Sequence, residues 1–127
     1  MARSMRGLSS GFLESVKEAL ESLDAEKLVS HYAEDAVFLD PCLGQDWFIR
    51  GKEKLKAYFQ ELFGLPGAKF EVTSVFGCDG WAAAEWTWSG NKRGSDTRFS
   101  IKGASVIQIR DGKIARETIY YDPRSAL

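Results

Sequence analysis

Asp40 closes the apolar run Ala36-Val37-Phe38-Leu39 and stands directly before Pro41. A carboxylate at the end of a buried strand needs a partner or a task, because an unpaired charge against apolar walls is costly. Two explanations stand side by side. In one, Asp40 accepts backbone amides in an Asp-Pro turn, while Pro41, which has no N–H, stops further pairing. In the other it is the base of an apolar pocket: desolvation raises a carboxyl pKa, and a carboxylate tuned that way can take a proton next to a carbonyl. The remaining reactive residue types point to no comparable chemistry. His31 is the only histidine and falls beside, rather than among, the apolar residues Leu28, Val29 and Tyr32. Cys42 and Cys78 make no metal spacing and read as reduced thiols, with a cytoplasmic location expected. Neither a metal-ligand cluster nor a glycine-rich phosphate loop is present in the sequence, so no cofactor is implied.

Composition narrows the partners. A chain of 127 residues suits one domain, and 44% hydrophobic content can build a real core. The aromatic share of 13% suits an aromatic-walled cavity and a filled core equally. Lys and Arg number 17 against 18 Asp and Glu, for a net charge of −1, so the positive footprint that nucleic acid needs is missing. No apolar run approaches membrane-spanning length. Residues 1–11 carry Arg3, Arg6 and three serines without an acid, which reads as a flexible N-terminus ahead of a single domain at 12–127.

Periodicity supplies the elements that must position Asp40. Phe12, Leu13, Val16, Ala19, Leu20 and Leu23 make one face of a helix begun near Ser9 or Ser10. Asp24 can cap a second helix from about Ala25 to Tyr32. Cys42 to Arg50 reads as a loop holding Trp47 and Phe48, either a plug that packs down or a lid over a cavity. A third helix follows Gly51, with Leu55, Tyr58, Phe59, Leu62 and Phe63 on one face, and Gly64-Leu65-Pro66-Gly67 ends it. The period then changes to two. Phe70, Val72 and Phe76 share a face, and Ala82, Ala84, Trp86 and Trp88 alternate with Trp81, Ala83, Glu85 and Thr87. Phe99, Ile101, Gly103, Ser105, Ile107 and Ile109 alternate with Ser100, Lys102, Ala104, Val106, Gln108 and Arg110 up to the hairpin signal Asp111-Gly112, and a last strand runs from Lys113 to about Asp122. Three helices followed by four antiparallel strands is an α+β order in which the helices cover the apolar face of the sheet. Ala82, Ala84, Trp86 and Trp88 are expected on that covered face, and Gly103 permits a bend.

The stretch His31-Tyr32-Ala33-Glu34-Asp35-Ala36-Val37 through Asp40-Pro41 and Gly51-Lys52-Glu53, together with Gly103 to Ile114 and Tyr120-Tyr121-Asp122, resembles the nuclear transport factor 2-like superfamily. Within it the chain is similar to the SnoaL-like polyketide cyclases and the ketosteroid isomerases. The resemblance implies a cone-shaped roll of three N-terminal helices packed on a strongly curved antiparallel sheet, with a cavity inside and frequent dimers. Asp40 falls where the isomerases keep the aspartate that moves the proton, and Tyr32 falls on a tyrosine of their hydrogen-bond network. Val16, Ser105 and Phe59 stand where those enzymes have a donor tyrosine, a protonated aspartate and a supporting tyrosine. Losing one oxyanion donor can cost about 100- to 1000-fold in rate, which argues against a steroid isomerase. The cyclases keep an acid on the last strand, matched here by Glu117 or Asp122. Alternation separates Glu117, Ile119 and Tyr121 from Tyr120 and Asp122, and the isomerase pattern favours Glu117 and Tyr121. A surface salt bridge for Glu117 is the competing reading. The Asp-Arg-Asp relay of epoxide-opening relatives is not matched.

These readings lead to a pocket for a small, mostly hydrophobic molecule, with Asp40 as acid-base group and Tyr32 orienting it. Phe38, Trp47, Phe59, Phe63, Trp86, Trp88 and Ile107 are the expected walls, with Ser105 and Tyr121 as polar contacts. The chemistry would be isomerisation or an aldol-type cyclisation by proton abstraction and return. A non-catalytic module that binds a ligand or a protein is one rival; a dimeriser whose cone is simply filled is another. Ala104, Val106 and Gln108 form a sheet face with few charges, so a homodimer through the sheet is expected.

Overall fold

The computed structural model describes residues 2–126, and the side chains of residues 11–124. Helix α1 (Ala2–Glu21) is followed by α2 (Ala25–Val29), β1 (Tyr32–Leu39), β2 (Phe48–Arg50) and α3 (Lys52–Phe63). Strands β3 (Lys69–Cys78), β4 (Trp81–Asn91), β5 (Arg98–Arg110) and β6 (Lys113–Tyr121) complete the chain, with a short 3-10 turn at Pro123–Ala126. The architecture is α+β, with one curved six-stranded sheet in the order β2-β1-β6-β5-β4-β3. No helix among the described residues is long and apolar enough to cross a membrane.

The four long strands form the expected antiparallel meander, but the sheet as a whole is mixed. β1 lies parallel to β6, pairing Phe38 with Glu117, and β2 adds antiparallel to β1. This changes three boundaries expected from periodicity. α2 stops at Val29 and Tyr32 opens a strand, because its backbone pairs with Ile114 across the sheet. Phe48 to Arg50, expected in a loop, is a strand for the same reason. At the other end of the domain, α1 begins at Ala2 rather than near Ser9 or Ser10. Other local signals act as expected: Asp24 accepts the Lys27 N–H as N-cap of α2, and Asp111 and Gly112 both take positive φ in the β5–β6 turn.

Strand β4 pairs with β5 without interruption, so its period-two pattern survives: Ala82 and Trp86 are buried while Trp81 and Glu85 face solvent. β3 departs from the pattern. A bulge between Val72 and Ser74 shifts the pairing with β4 by one residue, and a one-residue shift moves every later side chain to the opposite face. Phe70 and Val75 therefore point inward, and Phe76, expected on the same face as Phe70 and Val72, is 64% exposed. α1 packs against β3, and α3 packs against β1 and α2. Leu55 of α3 and Ile114 of β6 are among the most deeply buried side chains.

Gly103 has a steric reason beyond the expected bend. A Cβ built there would overlap the indole of Trp86, which lies across the Gly103 backbone. Gly103→Ala should therefore cost about 1–3 kcal/mol, the range for an overpacked core. Urea melts measure it, and an unchanged midpoint would show that the indole has room to move.

Candidate functional site

A cavity of about 100 Å³ lies between the helices and the covered face of the sheet. Its wall is mostly apolar, with Val16 and Leu20 from α1, Phe59 from α3, Trp86 from β4 and Ile107 from β5. Apart from the two indole N–H groups, the polar side chains in the wall are Lys17, Tyr32, Tyr58, Ser105, Glu117 and Tyr121. The parity of β6 decides this set. Glu117, Ile119 and Tyr121 point inward, and Tyr120 between them is 53% exposed.

Glu117 is the buried carboxyl of the wall, only 8% exposed. Its neighbours across the ladders are Ile107 on β5 and Phe38 on β1, so its strand position alone surrounds it with hydrocarbon. The Tyr32 hydroxyl donates to its Oε1, and Ser105 stands in the same cavity wall. Ser105 in turn accepts the Trp86 Nε1–H at 2.9 Å. Burial raises the Glu117 pKa, and the hydroxyls of Tyr32 and Ser105 oppose that rise without cancelling it. No cation contributes to its balance. The Tyr32 phenol is itself pushed well above its ordinary value by burial and by the Glu117 charge, so it stays a donor.

Asp40 makes the bond of the turn explanation and a second one to a phenol. Oδ1 accepts the Cys42 N–H at 3.0 Å, the Asx turn that an Asp-Pro sequence suggests. Oδ2 accepts the Tyr121 hydroxyl at 2.8 Å. The residue is 1% exposed, and burial raises its pKa against the Tyr121, Cys42 and Leu43 donors. It is Tyr121, however, that lines the cavity, with Asp40 behind it. The expected partnership of Asp40 with Tyr32 is not formed. Tyr32 begins β1 and Asp40 follows its end, and a rise of roughly 3.3 Å per residue carries them out of contact. Each carboxyl instead has its own tyrosine, Tyr32 for Glu117 and Tyr121 for Asp40.

The other candidates divide. Phe38, Phe59, Trp86, Trp88, Ser105, Ile107 and Tyr121 are in the wall. Phe63 stands behind it, stacked on Phe59 with ring centroids 5.9 Å apart, and Trp47 packs against Tyr58 at 6.0 Å as a plug rather than a lid. Asp122 lies past the end of β6, exposed, where hydrogen bonds from Arg124 hold its pKa at about 2. Both facts remove it from the cavity's chemistry. His31 packs edge-on against Phe12 in the turn after α2, and burial lowers its pKa. Among the described residues no cluster of His, Cys, Asp or Glu could hold a metal ion.

Tyr58 is the wall residue whose chemistry the sequence left unassigned. It shares a helical face with Leu55 and Phe59, and that spacing was the signal that it points inward. Burial, with the charges of Asp40 and Glu117, raises its pKa, so it remains a protonated donor close to both carboxyls.

Comparison with known proteins supplies the context for this site. The model of the SnoaL-like domain matches residues 13–117. A protein of ketosteroid isomerase-like fold from Catenulispora acidiphila, solved with trimethylamine, superposes with a TM-score of 0.78 at 18% identity, covering 91% of this chain and 88% of its own. An NTF2-like protein of unknown function from Burkholderia xenovorans gives 0.75 at 26% identity, with 93% and 86% covered. A candidate SnoaL-like polyketide cyclase from Shewanella denitrificans gives 0.75 at 17% identity, with 94% of each chain covered. No curated protein matches the chain. With the domain model spanning most of its length and these folds superposing on nearly all of it, the chain belongs to the SnoaL-like domain family.

Proposed function

We propose that the chain binds a small, mostly apolar molecule in its cavity and exchanges a proton with it through Glu117. The observation that carries this reading is a carboxyl in the wall of an apolar cavity, raised in pKa by burial. A carboxyl raised towards the working pH is suited to removing and returning a proton next to a carbonyl. This is the chemistry of an isomerisation or an aldol-type cyclisation. Tyr58 supplies the hydroxyl donor for the developing enolate oxygen that α1, with Val16 in the wall, does not offer. Asp40 and Tyr121 form the second dyad, with the phenol facing the ligand. The acid-base role expected of Asp40 thus passes to Glu117, the carboxyl that the cavity meets.

A second reading, binding without turnover, is favoured by Val16 in place of a donor tyrosine. Deuterium exchange at the α-carbon of small enolisable ketones such as cyclohexanone separates the two. The wild type should accelerate exchange over buffer, and Glu117→Gln should lose about 100-fold or more of that acceleration. Equal exchange by wild type and Glu117→Gln would remove Glu117 from the chemistry. Binding without exchange by the wild type would establish the second reading.

Stability should follow the same two carboxyls. Asp40 and Glu117 have folded-state pKa values raised above 3.8 and 4.5, so between those values and the raised ones the native state holds more protons than the unfolded chain. Stability should therefore fall as pH rises through that window. Asp40→Asn and Glu117→Gln should each flatten the fall. Asp40→Asn keeps the Oδ1 acceptor for Cys42 and should fold. Melting temperatures between pH 4 and pH 8 measure the slopes, and slopes unchanged in both variants would overturn the assignment.

We also propose a homodimer through the outer face of the sheet, in the cytoplasm. Val106 lies beside Ala83 and Thr118, Ala104 beside Tyr120, and Trp81 beside Gln108, giving an exposed and largely apolar row. Such a row is what a dimer core needs. Two free cysteines, both exposed, suit a reducing compartment. Light scattering at micromolar concentration should give twice the chain mass for the wild type and the chain mass for Val106→Glu. A monomeric wild type would rule the dimer out.

A further inference from the structure

The cavity wall carries a second charge. Among the described residues that line it, Glu117 and Lys17 are the charged ones, and they come from elements set well apart. Glu117 is on β6, whereas Lys17 is on α1, which packs against β3. β5 and β4 lie between β6 and β3, so three strand spacings of about 4.8 Å separate the two along the sheet.

The helical row to which Lys17 belongs fixes its place. Leu13, Lys17 and Glu21 are spaced by four residues and project from one side of α1. Leu13 meets β3 at Gly77, where an added Cβ would stand 3.2 Å from the leucine side chain. Glu21 meets β3 at its bulge, with Oε2 accepting the Val72 N–H at 2.9 Å. Lys17, between them, lies over the same strand. Its side chain is 34% exposed, which puts it at the rim of the cavity rather than in its depth. Its Nζ is 3.8 Å from Glu21 Oε1, close enough to feel the charge and too far for a hydrogen bond. An ammonium has three donors, and no hydrogen bond joins Lys17 to another described residue through them.

We propose that the ligand of this cavity is a keto acid, an apolar body whose carbonyl faces Glu117 and whose carboxylate is held by Lys17 at the rim. This names the ligand class for the function proposed above and rests on that reading. The charges set the orientation. A ligand carboxylate beside Glu117 would meet a like charge in hydrocarbon surroundings, whereas at Lys17 it meets the opposite charge and unengaged donors. Glu21 is outside the wall and its Oε2 is tied to the Val72 backbone, so it steadies the ammonium without filling the ligand's place. Were Lys17 only a solvated lysine whose stem covers apolar wall, an acid and its ester would bind alike.

The test uses the full chain and two probes of one length, 9-oxodecanoate and its methyl ester, with binding followed by calorimetry at pH 7 and low salt. The wild type should bind the acid about tenfold more tightly than the ester. Lys17→Met keeps the apolar stem without the charge and should bind the two alike. Should it fail to fold, Lys17→Gln takes its place. Glu21→Gln keeps an acceptor for the Val72 N–H but removes the competing carboxylate, so its preference for the acid should exceed that of the wild type. Equal binding of acid and ester by the wild type, a preference that survives the loss of the Lys17 charge, or one lost in Glu21→Gln would overturn the proposal and leave a cavity that binds ketones. Binding of neither probe would overturn it together with the function on which it rests.

Discussion

The structure turns on an ionisable group held where water is scarce. A carboxyl buried beside Phe38 and Ile107 would be costly unless its oxygens were bonded, and hydrogen bonds to a charged acceptor contribute about 1.5–3 kcal/mol each. Glu117 takes its bond from Tyr32 on β1, while Ser105 on β5, in the same cavity wall, is tied to Trp86 on β4. Four adjacent strands thus contribute to one stretch of the cavity wall. The curvature of the sheet, the glycine that admits the Trp86 ring and the parallel docking of β1 all act on the geometry around that carboxyl.

What could be read from the sequence follows the range of the forces involved. Helix α3, the hairpin at Asp111-Gly112 and the alternation of β4 depend on neighbours within a few residues or on an unbroken ladder, and they match expectation. The faces of β3 do not, because the bulge near Thr73 moves Phe76 to the solvent side and nothing in the local pattern marks it. The parallel pairing of β1 with β6 joins segments far apart in sequence, so periodicity could not place Tyr32 in a strand. Once Tyr32 opens β1, contact with Asp40 is geometrically closed to it.

The candidate site divides along the same line. That Asp40 needed partners was legible from a carboxylate beside Pro41, and it has two, the Cys42 amide and the Tyr121 hydroxyl. That Glu117 rather than Asp40 meets the cavity depends on strand parity in β6 and on Tyr121 standing in front of Asp40. Tyr58 was visible as a member of the inner helical face, while its nearness to two carboxyls is a matter of tertiary packing. The family shares one fold among proteins of different chemistry, so the wall residues, rather than the roll, carry the functional argument.

The parallel β1–β6 ladder also sets an order of events. Tyr32 and Glu117 are 85 residues apart in the chain, and the strand that carries Glu117 enters the sheet between β1 and β5. While the chain is being synthesised, Tyr32 emerges long before its partner Glu117 exists. The helices and the β3–β5 meander can organise around an empty slot, but the slot remains edge backbone on both sides until β6 fills it. Closure of the sheet and pairing of Tyr32 with Glu117 are therefore a single event, and a nascent fragment without β6 holds neither.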